Sequence, residues 1–524
     1  MPTLPGYARP NATQVEGFPI ELGQRNGSVI EWTPLGAYKS CEVDWHWFQP
    51  GNIQLELKPD HRLIPYMRPR RKAIHVRIGR GADGLIGYNG IPWTGRLMTR
   101  NIAGRPGREN CTFGGVDYKF WLQRWLAWVN PQFPPEVQVG LTGKQDVMAG
   151  EPDFVLKYFL AKNFIRLNKP VFAKLPLHQV GDDLPDLDDI DTLDDLLNLI
   201  NTAIENMTII SARFTQGDEL YKLTRDRLDF GYSMDLWDGT GTPPHVFNTS
   251  SLAQLQSVLD VTSDNFLNFL NPDNYLGLAD PASWGVMPRA GYVFDTRKKR
   301  DRRKIQWRTD GGQIEHYVAD ESHADATRVI VGGKAPEILN QVIEWAANFA
   351  IQLLLAAIAP GLGLGFVVGD LFDNIFFAYQ QFWDDDLEDE IGYDDAFAEV
   401  FGDNTAAWSL DSYQVGQGKL KEHSGSEELE LTTVAGGPDG RGYRFGADDG
   451  SGKRYDVGDI HTFYDRGNVQ EQYVSGVRVS DHRDGRMVET PKFGEDKRLR
   501  GAFDRLVGNI SGLAATTRGI ANTT

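Results

Sequence analysis

Residues 344–390 read EWAANFAIQLLLAAIAPGLGLGFVVGDLFDNIFFAYQQFWDDDLEDE, and 345–369 contain no ionisable side chain. A run of that length can cross a bilayer hydrocarbon core of about 30 Å as one helix. Pro360, Gly361, Gly363 and Gly365 interrupt it near its middle, and an interior proline removes a helical donor and clashes with the preceding turn. The stretch therefore reads as two shorter apolar helices joined by a bend, each too short to span alone. Trp345 and Trp383 stand near the ends and an acidic block follows at 384–390. Helices apolar all round bury themselves wherever a partner exists. The reading taken is a helical hairpin buried by other copies of the chain, with release into a membrane after a conformational change as the alternative. Its candidate plug or membrane-contact residues are Trp345, Phe349, Leu354, Ile358, Pro360, Gly363, Phe366, Phe372, Phe376 and Trp383.

Upstream, 291–331 alternates in polarity, and seven of the eight residues at 297–304 are basic: Arg297, Lys298, Lys299, Arg300, Arg302, Arg303 and Lys304. Flanking strand signals make this a solvated hairpin tip, with contact to an acidic partner or passing DNA as the functional alternative. Downstream, 427–494 is a series of short strand signals separated by DG and GSG turns. A helix is expected around 405–420, and the last 25 residues start with a short amphipathic run and end as a polar tail.

The N-terminal side is also β-rich. Ile53, Leu55 and Leu57 alternate with polar neighbours, as do Ile74, Val76 and Ile78, and the turns GADG (81–84) and GYNG (87–90) separate such runs. Within 116–130, Asp117 is placed to cap a helix carrying Trp121, Trp125 and Trp128 on one face. A core helix plugging a barrel end is preferred there over an aromatic ligand box. A second helix is expected at 151–165, with Pro152 in its first turn. Eight aspartates crowd 182–197 without the central glycine or distal glutamate of an EF-hand, so they read as helix capping and not as a metal site.

The chain has 524 residues, which at roughly 150 per domain implies several cores. Its 54 Lys and Arg against 72 Asp and Glu give a net charge of −18. Residues 1–150 carry 18 basic and 12 acidic side chains, so the acidity lies in the remainder. An acidic surface repels phosphates, which argues against general nucleic-acid binding but suits a lining past which DNA slides. Cys41 and Cys111 are too few for a disulfide framework and lack zinc spacing, so both read as buried thiols. No basic stretch followed by an apolar run opens the sequence, and folding in a reducing cytoplasm is expected.

No catalytic pattern stands out. GRGADG (79–84) has the letters of a dinucleotide fingerprint, but no helix can follow it. DGSGKRY (449–455) resembles a phosphate loop, yet Ala447 stands where its first glycine belongs and Arg454 where Ser or Thr does. Ten histidines occur without HExxH or HxH, no GxSxG is present, and no two acids are singled out for glycosidase work. No enzyme, cofactor or metal is expected.

The order VIVGGKAPEILNQVIEWA (329–346), the apolar hairpin, LFDNIFFAYQQFWD (371–384), TAAWSLDSYQVGQGKLKEHSG (405–425), YDVGDIHTFYDRGNVQEQYVSGVRVS (455–480) and a PKFG turn resembles the tail-tip hub proteins, or minor tail proteins, of siphophages infecting actinobacteria. The resemblance covers most of 290–500 and, more loosely, the N-terminal β region; it does not reach 166–285. It implies a virion protein at the tail tip. Three copies would each give two barrel-like domains to a sixfold tail tube. The ring would lie below the distal tail protein, close the tube around the tape-measure C-terminus, contact other minor tail or receptor-binding proteins, and open for DNA ejection. The implied fold class is α+β and β-rich. Its parts are an extended arm (1–25), a first β-barrel-like hub domain (26–150), a mixed α/β domain (151–290), a β-hairpin region (291–333), the apolar helical hairpin with its acidic segment (334–404), a second barrel-like hub domain (405–500) and a tail (501–524). The rival readings are a membrane-active pore former and a tail-associated cell-wall hydrolase.

Overall fold

Strand-forming sequence in this chain is inward-apolar at every second position, and the computed structural model turns that period into one large antiparallel-dominated sheet. The structure describes residues 17–70, 72–81, 84–129, 135, 146–150, 152–174, 208–228, 230–246, 285–324, 326–332, 379–392, 394–396, 399–403, 416, 419–420, 423–434, 442–482 and 487–494. The N-terminal arm to residue 16, the aspartate-rich 182–197, the apolar stretch at 344–378, nearly all of 405–420 and the tail 501–524 lie outside them.

Seven N-terminal strands come first: β1 (Ile20–Asn26), β2 (Val29–Pro34), β3 (Ser40–His46), β4 (Asn52–Leu57), β5 (His75–Ile78), β6 (Thr94–Ala103) and β7 (Asn110–Asp117). The alternation seen in the sequence sets their inner face: Ile53, Leu55 and Leu57 on β4 and Ile74, Val76 and Ile78 at β5 are all buried. Pairing of Asn26 with Val29 leaves Gly27 and Ser28 as a two-residue loop, with Gly27 at φ +60.

The sheet runs in the spatial order His316–Ser322, Ser426–Val434, Val488–Gly494, Asn468–His482, β3, β4, β7, β6, β5, β1, β2. Asp459–Asp465 also pairs with Asn468–His482, and Arg300–Arg308 runs parallel to Asp459–Asp465. The two β-rich ends of the chain thus join: Gly476 pairs with His46 and His482 with Ser40 in one antiparallel ladder. Residues of the first, middle and last segments, among them Leu55, Phe159, Phe294, Tyr455 and Phe493, share one continuous core.

Three expectations need correction. First, the two β-rich ends do not form closed barrels among the described residues. β2 pairs with β1 on one side only, and two separate segments cover its other side and the turn before it: Ile30 N donates to Asp238 O at 2.8 Å and Ala290 N to Ser28 O at 2.7 Å. A covered edge removes the need for closure.

Second, 116–130 is not one helix. Asp117 caps as expected, its carboxylate accepting from Lys119 N at 2.9 Å, but only a 3-10 turn, Tyr118–Gln123, follows. Leu126–Ala127 then pairs with Thr215–Gln216. Trp121 and Trp125 do enter the core, where both meet Phe164 and Trp121 also meets Phe120 and Trp125 Tyr221, while Trp128 packs apart from them on Phe214. A Cβ at Gly217 would lie 2.3 Å from the Trp125 ring, so the glycine makes room for it.

Third, 291–308 is not a hairpin. Gly291–Arg297 lies between Val171–Ala173 and Gly231–Trp237, whereas Arg300–Arg308 joins the large sheet. The expected helix at 151–165 is present as α1 (Pro152–Arg166), packed beside this smaller sheet and almost wholly buried. Among the described residues no helix is long and apolar enough to cross a membrane.

Candidate functional site at the seam between the chain ends

Basic side chains at 297–304 sit where three parts of the chain meet, because the two strands carrying them diverge there. Each of the four arginines finds an acid more than a hundred positions away. Arg297 Nη2 bonds Asp456 Oδ2 at 2.7 Å, Arg300 Nε bonds Asp459 Oδ1 at 2.6 Å, and Arg303 Nε bonds Glu471 Oε2 at 2.6 Å. Arg302 pairs with Asp448, and Lys299 Nζ stands 3.7 Å from the centroid of the Tyr473 ring. Lys298 lines a cavity and Lys304 is exposed. The stretch is a clasp between the middle sheet and the C-terminal strands.

Charge-assisted hydrogen bonds contribute about 1.5–3 kcal/mol. Arg297→Ala is therefore expected to lower the unfolding free energy by roughly that amount. Urea titration checks it; an unchanged midpoint would remove the clasp from the account of stability.

Behind the clasp lies a cavity of about 500 Å³, walled by Asp117, Lys119, Asp235, Asp295, Arg297 and Asp456 among others. Gly51 N donates to Asp117 Oδ2 at 2.9 Å, and Lys119 Nζ stands 3.5 Å from the same oxygen. Burial pushes the Asp117 carboxyl up and the Lys119 ammonium down, with their mutual attraction opposing both shifts. Asp235 is open to the cavity but ringed by protein beyond it, and that desolvation raises its carboxyl. Under the cavity floor, Lys157 Nζ is held by Asp153 at 2.9 Å and Asp295 at 2.8 Å, all three buried. The cations Lys119, Lys174, Arg297 and Arg300 are spent on Asp117, Asp295, Asp456 and Asp459. Chemically this arrangement fixes segments to one another. Among the described residues no group of three or more His, Cys, Asp or Glu is placed to hold a metal ion.

The apolar stretch is rooted elsewhere. Arg328–Gly332 pairs antiparallel with Tyr379–Trp383 and parallel with Glu399–Asp403. Gly332 opposes Tyr379, so the chain leaves for 333–378 and returns from it side by side. Asp384 caps the short helix Asp385–Ile391 through Leu387 N, and Arg328 grips Glu388 with two bonds of 2.6 and 2.9 Å. Hydrogen bonds from Arg328 and Thr327 hold the Glu388 carboxyl down to about 2. Val329, Val331, Phe382 and Leu420 bury the inner face of this root, while Trp383 and Phe401 are each 55% exposed.

Of the candidate plug residues, Trp383 falls in the described residues, on a strand where helix was expected to extend; Trp345, Phe349, Leu354, Ile358, Pro360, Gly363, Phe366, Phe372 and Phe376 lie outside them. Cys41 and Cys111 are buried free thiols. Sequence reasoning missed Lys157 and Glu489. Lys157 lies four residues after Asp153 in a mostly apolar helix, and Glu489 is in phase with the inward Phe493; both spacings were signals that could have marked them.

The family model described as Siphovirus ReqiPepy6 Gp37-like protein matches residues 31–495. No curated protein matches the chain in sequence. Among solved structures, the fold is similar to the 43 kDa tail protein of prophage MuSo2 from Shewanella oneidensis, with 10% identity, a TM-score of 0.43 and coverage of 91% of this chain and 99% of that one. It is also similar to a tail protein from Neisseria meningitidis MC58 (11% identity, TM-score 0.41, 92% and 97% covered). A third similar structure is prophage tail protein gp18 from Listeria monocytogenes EGD-e (7% identity, TM-score 0.40, 95% and 99% covered).

Proposed function

The chain belongs to the Siphovirus ReqiPepy6 Gp37-like protein family, and from that premise we propose that it is a structural protein of the phage tail, acting as a trimeric hub at the tail tip. In this reading it joins the distal tail ring, closes the tube around the tape-measure C-terminus and opens for DNA ejection. The observation that carries it is the root of the apolar stretch. The chain departs at Gly332 and re-enters at Tyr379, side by side on a three-stranded sheet braced by the Arg328–Glu388 pair, so the segment carrying the uncharged 345–369 is anchored at both ends in one place, as a plug or wall element would be. Exposed Trp383 and Phe401 beside that point offer apolar surface for neighbouring copies. The net charge of −18 keeps passing DNA from adhering. The basic stretch at 297–304 serves internal cohesion in this reading, since four of its arginines are bonded to acids of the C-terminal strands or turns.

The test is assembly. Replacing Leu354 and Ile358 with Asp is expected to abolish the trimer seen by size-exclusion chromatography with light scattering, and to leave phage particles without a closed tail tip. Normal virions from the double variant would overturn the proposal. Leakage of liposomes caused by purified monomer would favour a pore former, and clearing of host peptidoglycan in a zymogram a hydrolase.

A further inference from the structure

We propose that Glu489 is a proton-controlled latch that holds the turn around Tyr88 against the C-terminal strands. Glu489 lies on Val488–Gly494 with 0% exposure, at an inward position. Tyr88 OH donates to its Oε1 at 2.7 Å, Phe445 N to its Oε2 at 2.9 Å, and Tyr455 OH reaches the same Oε2 at 3.4 Å. One carboxyl thus ties together three pieces of chain: the 79–93 loop, the short ladder of Arg444–Phe445 with Arg454–Tyr455, and the last strand. Among the described residues no Lys or Arg is ion-paired with it.

The docked turn is built for close approach. Tyr88 and Ile91 exchange both backbone bonds at 2.9 Å around Asn89 (φ 48) and Gly90 (φ 85), a type I′ arrangement. Asn89 Nδ2 donates to Phe445 O at 2.8 Å and Ala447 N to Asn89 O at 2.9 Å. A Cβ on Gly90 would stand 2.9 Å from that of Ala447.

The groups facing Glu489 include no bonded cation. Arg444 attracts it without bonding it; Tyr88 and Tyr455 are held in their neutral forms by burial first, then by Glu489 itself. His461, packed on Tyr455, is neutral above about 3 because it is buried. The flanking strands oppose it with Thr433 and Val479. Burial pushes the carboxyl up to about 7, against the opposing pull of the three donors. When the turn lifts, the carboxyl meets water and returns to its ordinary range near 4.3. The closed state therefore holds the proton between those two values and the open state does not, so closure weakens as pH rises from about 4.5 to about 7 and is constant above that.

This inference is independent of the proposed place in the phage tail. Hydrogen exchange of the amides at 85–93 and 444–455, divided by the intrinsic rate at each pH, measures the opening constant in the full chain. It is expected to rise about tenfold per pH unit between 5.5 and 7 and then level off. Glu489→Gln keeps an acceptor for Phe445 N and offers Tyr88 a donor, as the protonated acid does, and its opening constant is expected to be flat over that range. Tyr88→Phe removes one donor to the carboxylate and is expected to move the levelling-off to higher pH. A flat wild-type profile, an unchanged rise in Glu489→Gln, or an unmoved plateau in Tyr88→Phe would each overturn the latch.

Discussion

Lys157→Met is expected to lower the unfolding free energy in urea by about 3–5 kcal/mol, the cost of leaving buried charge uncompensated. Lys157 is 0% exposed and stands 2.9 Å from Asp153 Oδ1 and 2.8 Å from Asp295 Oδ1. Methionine fills a similar volume, so a cavity contributes little and the effect is electrostatic. Asp295 would keep Lys174 at 3.1 Å, but that side chain is 46% exposed and screened by solvent. Asp153 would keep the hydroxyl of Thr296. The second half of the experiment separates the pair from its parts: adding Asp153→Asn to Lys157→Met should recover more than half of the loss, because removing both partners of a buried ion pair costs much less than removing one. A single variant within about 1 kcal/mol of wild type would mean that water reaches this site and that α1 is not anchored by it.

Local features of the fold were legible in the sequence because local features have short periods. Alternation at 53–57 and 74–78 gave inward faces that the structure retains, and Pro152 opened α1 where a first-turn proline belongs. The same logic failed at 116–130. Spacings of four and seven between Trp121, Trp125 and Trp128 mimic a helical stripe, yet the third ring packs apart from the first two, and the backbone after Trp125 is claimed by Thr215–Gln216. The basic stretch was misread for a related reason. A run of seven cations has one acid within it, Asp301, which Arg303 bonds, so the rest looks solvated, whereas Arg297 and Arg300 bond to acids 159 positions along the chain. The seam itself joins positions 434 apart through Arg478 and Asp44, and no window on the sequence contains both. Buried charges left a faint signal: an acid in register with Phe493, and an i,i+4 ion pair among the apolar residues of α1, must each find hydrogen-bond partners inside. Reading those phases would have picked out Glu489 and Lys157 from 72 acids and 54 bases.

Two histidines buried in the neutral form act against this fold in acid well above the carboxylate range. His75 is 2% exposed beside the Tyr118 hydroxyl, and burial, followed by repulsion from Arg25 and Arg96, pushes it down to about 4. His461 is 1% exposed; its Nδ1 accepts from Trp307 Nε1 at 3.1 Å, and its Nε2 has no hydrogen-bond partner among the described residues. Burial, then Arg302 and Arg300, push it down to about 3. The unfolded chain takes up a proton at each near pH 6.5 while the folded one does not, so stability falls as pH drops below 6.5 and goes on falling until the folded values are reached. Each histidine contributes about 1.4 kcal/mol per pH unit over that window. Glu489 acts with the opposite sign and offsets about one of the two. A net loss near 1.4 kcal/mol per unit remains from these three groups. His461→Gln isolates one contribution, since the amide oxygen can still accept from Trp307 and nothing titrates. Relative to wild type, this variant is expected to gain about 2.5 kcal/mol between pH 7 and pH 4.5 in urea unfolding. Parallel stability curves for the two proteins would show that the His461 ring is protonated in the folded state, and with it that the aromatic cluster of Trp307, Tyr455 and Phe493 around it admits a charge.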